Sequence, residues 1–181
     1  LLTRARHAME LMVSAHLSKY NAIDPRAPLP EAPYVLVIDQ TRGDASISGA
    51  GASSDTFREM LTAARLEQPG MRVVIKSHPE TQAGFRAGHF GPADAGEGVS
   101  LLDTPVDPWA LMEGAVAVYT VSSGMGFEAI LAGHRPRVFG KPWYAGWGLT
   151  EDDNPVERRR RRLTRTQLFA AAMVLYPAWY D

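Results

Sequence analysis

Short polar stretches that could take part in chemistry follow four apolar runs of this sequence. Each apolar run predicts a buried strand. Because the carboxyl ends of parallel strands meet at one edge of a sheet, where ligands bind, the polar side chains are expected to line one cleft. After residues 34–39 come Arg42 and Asp44, and after residues 116–120 come Ser122 and Ser123. Lys76 ends residues 72–76, and His78 comes two residues later. After residues 135–140 come Trp143 and Tyr144.

The stretch "TVSSGMGFEAI" is typical of an anion site at the start of a helix. Ser122, Ser123 and Gly124 lie between a predicted strand and a predicted helix. Free backbone N–H groups and the helix dipole favour a phosphate there. Glu128, one turn further on, could accept hydrogen bonds from both hydroxyls of a ribose. The alternative is that one serine only caps the helix and that Glu128 only complements its N-terminus.

His78 and Asp44 are the candidate catalytic residues. Pro79 holds the backbone of His78 extended, so its imidazole could donate to a phosphate oxygen or protonate a leaving group. A histidine after a strand is more often a surface residue. Asp44 lies among glycines and serines, where a ligand could approach the backbone closely, and it could act as nucleophile, base or metal ligand. A flexible surface loop has the same composition.

Two further groups have alternative interpretations. Trp143 and Tyr144 could stack on a base or sugar ring, or could pack at an interface. The arginines at 158–162 could bind an acidic lipid or polymer, but the acidic residues just upstream favour a solvated charged face.

The elements that must position these residues alternate between strand and helix. Residues 99–103 predict one more strand, and helices are expected over 53–66, 108–115 and 126–132, the last closed by Gly133. That alternation predicts an α/β fold with a doubly wound parallel sheet and helices on both of its faces.

Both ends of the chain are expected to be helical. Residues 1–18 have an amphipathic pattern, and the prolines within 21–33 make that stretch a stiff connector. A final helix over 164–176 is expected to bury Leu168, Phe169, Ala172 and Leu175. The predicted division is a helix and connector over 1–33, a ligand-binding domain over 34–163 and a C-terminal helix over 164–181.

The composition excludes several classes of protein. A chain of 181 residues, 45% of them apolar, can bury one good core, and its net charge of −1 gives no general attraction to nucleic acid. The absence of cysteine excludes disulfides, thiol nucleophiles and Cys-ligated zinc. No apolar run approaches the roughly 20 residues of a membrane span. Because the sequence opens on Leu-Leu-Thr-Arg, we expect it to be a piece of a longer protein.

Five motifs, taken in order, resemble the capsule polysaccharide biosynthesis proteins of the KpsC type. They are "VLVIDQTRGDASISGAGAS", "IKSHPE", "DPWALME", "VYTVSSGMGFEAILAG" and "VFGKPWYAGWGLTEDD", and the upstream "LSKYN" matches too. The resemblance covers nearly the whole chain. It implies a retaining β-Kdo transferase of GT-B architecture with two Rossmann-like halves, of which this chain is chiefly the nucleotide-binding half. The family uses CMP-Kdo, and the implied acceptor is a phosphatidylglycerol-type lipid at the cytoplasmic face of the inner membrane.

The resemblance also implies a role for individual residues. Asp44 would be the nucleophile and Glu128 would hold the ribose, while Arg42 or Lys76 would pair with the carboxylate of the sugar. His78 would contact the CMP phosphate or the leaving group. Ser122 and Ser123 would hold the phosphate, and Gly124 would belong to the same donor-binding site. No cofactor or metal is expected, because histidine, serine and backbone donors can neutralise a single phosphate.

The missing half of the protein is expected to supply acceptor contacts and the acid/base carboxylate. We therefore expect the chain alone to bind CMP weakly and to transfer no sugar. Two other functions stay open: a non-catalytic nucleotide-binding module in which Asp44 is structural, and a sugar-nucleotide epimerase.

Overall fold

Parallel strands form the central sheet of the computed structural model, which describes residues 1–177. The strands are β1 (Tyr34–Ile38), β2 (Val73–Lys76), β3 (Val99–Leu102), β4 (Ala115–Thr120), β5 (Arg137–Val138) and β6 (Glu151–Asp152). They lie in the order β3-β2-β1-β4-β5-β6, and every pair is parallel.

Helices cover both faces of this sheet. They are α1 (Leu2–Ser14), α2 (Ala45–Gly49), α3 (Ser54–Glu67), α4 (Pro79–Gln82), α5 (Pro108–Glu113), α6 (Gly124–Ala132) and α7 (Arg165–Phe169), which continues as a π-helix over Ala170–Leu175. No helix within residues 1–177 is long and apolar enough to cross a membrane.

Strand β1 is buried on both faces, as its unbroken apolar sequence predicts. Val35 and Val37 pack with α3 on one side of the sheet. Leu36 and Ile38 point to the other side and pack with residues of α5 and α6. Full burial of each such side chain stabilises the fold by roughly 1.5–3 kcal/mol, and β1 contributes side chains to both cores.

The strand order places the topological switch point beside β1. Strands β2 and β3 extend the sheet on one side of β1, and the chain then crosses over to add β4, β5 and β6 on the other. This is the Rossmann order, in which ligands bind beyond the carboxyl ends of the strands at the reversal. The predicted doubly wound α/β fold is confirmed.

Three short elements differ from the sequence-based prediction. Strand β6 pairs with β5 and was not predicted. Helix α2 replaces the loop expected after Asp44, whose side chain caps it. Helix α4 is one turn that begins directly after His78, whose backbone is extended as predicted.

The end of the chain corrects one predicted set of buried residues. Leu168 and Phe169 are buried as expected, but Ala172 is only half-buried and Leu175 is 64% exposed. The reason is the π-helix, whose turns contain more residues than α-helical turns and so rotate the later side chains off the predicted face. The last four residues of the predicted C-terminal segment, 178–181, lie outside the described residues.

The two ends of the chain pack on each other. Helix α1 lies against α7 and the π-helix, and residues 17–33 form neither helix nor strand, as the prolines predict. The irregular segment carries the chain from α1 past the carboxyl edge of the sheet before it enters β1. The division at residues 33 and 163 stays a prediction.

Candidate active site

A cavity of about 290 Å³ lies at the carboxyl edge of the sheet, beyond β1, β2 and β4. Its position is the switch point of the strand order, where doubly wound folds bind their ligands. It brings together seven of the residues that the sequence predicted for catalysis or donor binding. These are Asp44, Lys76, His78, Ser122, Ser123, Gly124 and Glu128.

Gln40 and Ser122 join the tips of β1 and β4 across the floor of the cavity. The backbone N–H of Ser122 donates to Gln40 Oε1 at 2.9 Å, and Gln40 Nε2 donates to Ser122 Oγ at 3.1 Å. Ser46 Oγ lies 3.3 Å from Gln40 Nε2 and 3.3 Å from Ser122 Oγ. The hydroxyl of Ser122 is therefore fixed by its neighbours, and it is almost fully buried.

Asp44 lines the cavity as an ionised carboxylate. It caps α2 by accepting the Ser46 N–H at 2.8 Å. Burial raises its pKa, but hydrogen bonds from Ser46 and Gln40 and the nearby charge of Lys19 outweigh burial, so the net shift is downward. The carboxylate is thus negative at neutral pH and has the charge that a nucleophile or base requires.

His78 is oriented by the start of α4. Its Nδ1 accepts the backbone N–H of Glu80 at 3.2 Å, which leaves Nε2 to carry the proton of the neutral ring. The edge of the ring meets Tyr20, with centroids 5.2 Å apart. Burial lowers the pKa of His78, and the charges of Lys19 and Lys76 lower it further. The charges of Glu80 and Asp44 oppose these effects, but the net shift is downward. At neutral pH the ring is therefore an uncharged N–H donor.

Lys76 and Glu128 are two buried charged residues of the cavity. Lys76 is 7% exposed, and its Nζ donates to the carbonyl of Ser77 at 3.3 Å. Burial lowers the pKa of Lys76 and raises that of Glu128, while the attraction between the two opposes both shifts. Glu128 Oε1 also accepts the Ser18 hydroxyl at 2.8 Å and the Lys19 N–H at 3.2 Å.

The N-terminus of α6 opens onto the same space. Ser123 caps the helix by accepting the Met125 N–H at 3.3 Å, so its capping role is observed. A side chain at Gly124 would meet no atom within 4 Å, which leaves the helix start open to a ligand. Together with the helix dipole, this geometry favours an anion.

Two predicted contacts do not reach the cavity. Arg42 Nε donates to the Gly88 carbonyl at 2.9 Å, and the side chain is not part of the cavity wall. Tyr144 is fully buried beneath α6, where its hydroxyl donates to the Ser123 carbonyl at 2.7 Å. It is a core residue, and the aromatic contact predicted for it is corrected. Its neighbour Trp143 does line the cavity and is 47% exposed.

Sequence reasoning missed three residues of the site. Gln40 gave no signal beyond its position directly after a buried strand, at what proves to be the switch point. Lys19 and Tyr20 lie in the "LSKYN" motif, which was noted without a role for either residue. The irregular backbone after α1 brings both onto the cavity wall.

The fold and the site together define a Rossmann-like domain whose cavity, at the switch point, has a geometry that favours an anion. A profile of the family described as "Capsule polysaccharide biosynthesis protein" matches residues 15–178. The chain belongs to this family.

Named relatives and solved structures agree with this assignment. The chain is 40% identical to the capsule polysaccharide modification protein LipA of Neisseria meningitidis serogroup B, over 99% of this chain and 27% of LipA. It is 36% identical to the lipopolysaccharide-processing protein LpsZ of Rhizobium meliloti, over 99% of this chain and 42% of LpsZ.

Two Thermosulfurimonas dismutans KpsC structures share the fold. The β-Kdo 2,4 transferase superposes with a TM-score of 0.87 at 41% identity and the β-Kdo 2,7 transferase with 0.73 at 28%, over 94% and 97% of this chain respectively. In both cases the chain spans 54% of the solved structure.

Proposed function

We propose that this chain is the donor-binding half of a retaining β-Kdo transferase that takes CMP-Kdo as its donor. One observation carries the proposal: an ionised carboxylate, a neutral imidazole donor, a buried lysine and an open helix N-terminus line a single cavity at the switch point. The 41% identity to a solved β-Kdo transferase supports the reaction class. That structure is about twice as long as this chain, so the acceptor-binding half of the enzyme would be additional sequence.

The phosphate of the donor would bind at the start of α6. The helix dipole and the hydroxyls of Ser122 and Ser123 favour a negative group there. His78 would donate a hydrogen bond from Nε2 to the phosphate, and the buried ammonium of Lys76 would add a positive charge nearby. The donor carries a single phosphate, so these groups suffice to neutralise the departing CMP without a metal. The hydroxyls of the ribose would bind Glu128, whose carboxylate is held in place by Ser18 and Lys19.

Asp44 would act as the nucleophile of a double displacement. Its carboxylate oxygen attacks the anomeric carbon of Kdo, and the bond between that carbon and the phosphate oxygen breaks with its electron pair leaving on CMP. The acceptor hydroxyl then loses its proton to a base, attacks the same carbon and releases Asp44. Two inversions retain the configuration of the donor.

We place the reaction at the cytoplasmic face of the inner membrane, with a phosphatidylglycerol-type lipid as acceptor. The family to which the chain belongs supports a role in capsule biosynthesis. The protein would be peripheral, and the acceptor half would contact the lipid.

Calorimetric titration of the chain with CMP tests the donor site. We expect His78→Ala to weaken CMP binding about tenfold, since it removes one hydrogen bond to a charged group. His7→Ala is the matched control, because His7 is exposed on α1 and outside the cavity. Absence of CMP binding by the unaltered chain, or equal binding by His78→Ala, would contradict the proposal.

A non-catalytic nucleotide-binding module is the second candidate function. The observation in its favour is that Asp44 already has a structural role as the cap of α2. In that case the cavity would bind CMP as described, but no bond to Asp44 would form. The two functions therefore differ in the covalent adduct and not in CMP affinity.

A further inference from the structure

Lys19 is a cation of the cavity wall that lies on neither a strand end nor a helix start. It lies on the irregular segment after α1 and is exposed at the cavity wall. Its backbone is fixed, because its N–H and the hydroxyl of Ser18 both bind Glu128. The ammonium lies 5.0 Å from the centre of the Tyr20 ring. Within residues 1–177 it forms no ion pair with a carboxylate.

The other two candidate cations are placed differently. Arg42 donates to the Gly88 carbonyl and stays outside the cavity. Lys76 is buried, and its charge acts on Glu128 and His78. The charge of Lys19 acts on Asp44 as well as on Glu128 and His78. Lys19 is therefore the exposed cation that shares the cavity wall with the proposed nucleophile.

The chemistry of a 2-keto sugar acid requires a cation near the proposed nucleophile. In such a sugar the carboxylate is bonded directly to the anomeric carbon, which is the atom that Asp44 would attack. Wherever the anomeric carbon comes within reach of Asp44, the sugar carboxylate comes too, and two negative groups approach each other. A neighbouring ammonium offsets their repulsion and holds the sugar in place.

From this placement we propose that Lys19 binds the carboxylate of the donor sugar and thereby selects CMP-linked 2-keto sugar acids over uncharged sugars. The inference rests on the proposed function. It assigns the sugar carboxylate to Lys19 instead of Arg42 or Lys76, the two residues that the family resemblance suggested. Lys76 is left to the phosphate and Glu128.

Competition binding with three ligands separates this role from general attraction of anions. The ligands are CMP, CMP-Kdo and the methyl ester of CMP-Kdo, which lacks the sugar charge. For the unaltered chain we expect CMP-Kdo to bind about tenfold more tightly than its ester. For Lys19→Gln we expect the acid and the ester to bind equally, and CMP-Kdo to lose more affinity than CMP. Lys141→Gln is the matched control, because Lys141 is exposed and outside the cavity.

The outcomes distinguish the two proposals. If Lys19→Gln still prefers the acid to the ester, or weakens CMP and CMP-Kdo by the same factor, the role of Lys19 is wrong while the donor site stands. If the unaltered chain binds none of the three ligands, the proposed function and the role of Lys19 both fall.

Discussion

Gln40 shows how a single side chain can set the geometry of the site. Its amide accepts from the backbone of Ser122 and donates to the Ser122 hydroxyl, and so ties the tips of β1 and β4 together. The two residues are 82 positions apart in sequence. No local pattern signals such a pair, because only the sheet order makes them neighbours. Asp44 and His78, by contrast, could be predicted from their positions after apolar runs.

Replacement of Gln40 by leucine should destabilise the fold. Gln40→Leu leaves the buried N–H of Ser122 without its acceptor, which costs about 1–3 kcal/mol of unfolding free energy. It should also weaken CMP binding, since the Ser122 hydroxyl loses its orientation. Urea denaturation measures the first effect. Gln82→Leu is the control and should cost less, because the Gln82 amide only donates to carbonyls at the cavity edge. Equal stabilities of the two variants would be evidence against the bridge.

The buried carboxyl of Asp39 should make the unfolding free energy depend on pH. It is 1% exposed, and burial raises its pKa to about 6 although the backbone N–H groups of Gln40, His89 and Phe90 donate to it. The folded state therefore binds this proton more tightly than the unfolded state, whose pKa is about 4. The contribution of Asp39 is complete below pH 4 and is lost as the pH rises through 6.

The matched variant isolates that contribution. Between pH 4 and pH 6.5 the unfolding free energy of the unaltered chain should fall relative to that of Asp39→Asn, by an amount on the order of 2 kcal/mol. Asparagine adds a constant offset but cannot titrate. Chemical denaturation at the two pH values gives the difference, and parallel pH profiles of the two proteins would exclude the effect.

At the scale of elements, the strands and helices that bury apolar side chains could be predicted from the sequence. Strands β1 and β4 and helices α3 and α6 have clear apolar patterns, and all four occur where expected. Strand β6 consists of Glu151 and Asp152, which pair with β5 through their backbone, so no side-chain pattern could reveal it. The π-helix was missed for a similar reason, since a shift in backbone hydrogen bonding leaves no periodic signal.

The close packing of α6 on Tyr144 gives a prediction at this scale. A side chain at Gly126 would lie 2.3 Å from the Tyr144 hydroxyl and 2.8 Å from the methyl group of Thr120. Gly126→Ala should therefore cost about 1–3 kcal/mol and lower the Tm by about 2–12 °C. Gly124→Ala, in the same helix but facing open space, should leave the Tm unchanged or raise it. Thermal unfolding compares the two, and a Gly126→Ala variant as stable as Gly124→Ala would refute this account of the packing.

At the scale of the whole molecule, the strand order is what turns scattered residues into a site. The alternation of strands and helices predicted a doubly wound sheet and a common cleft, but not which strands lie side by side. The observed order puts β1 between β2 and β4 and so gathers Asp44, His78 and Ser122 around one space. The same geometry explains why Arg42, only two residues from Asp44, is not at the site: its side chain follows the loop at Gly88.

Intact-mass measurement on the complete transferase after brief incubation with CMP-Kdo tests the central claim most directly. The unaltered protein should gain the mass of one Kdo residue, while Asp44→Asn, which keeps the cap of α2, should bind CMP and gain nothing. An adduct of the same mass on Asp44→Asn, or its absence from an unaltered protein that still transfers Kdo, would contradict Asp44 as the nucleophile.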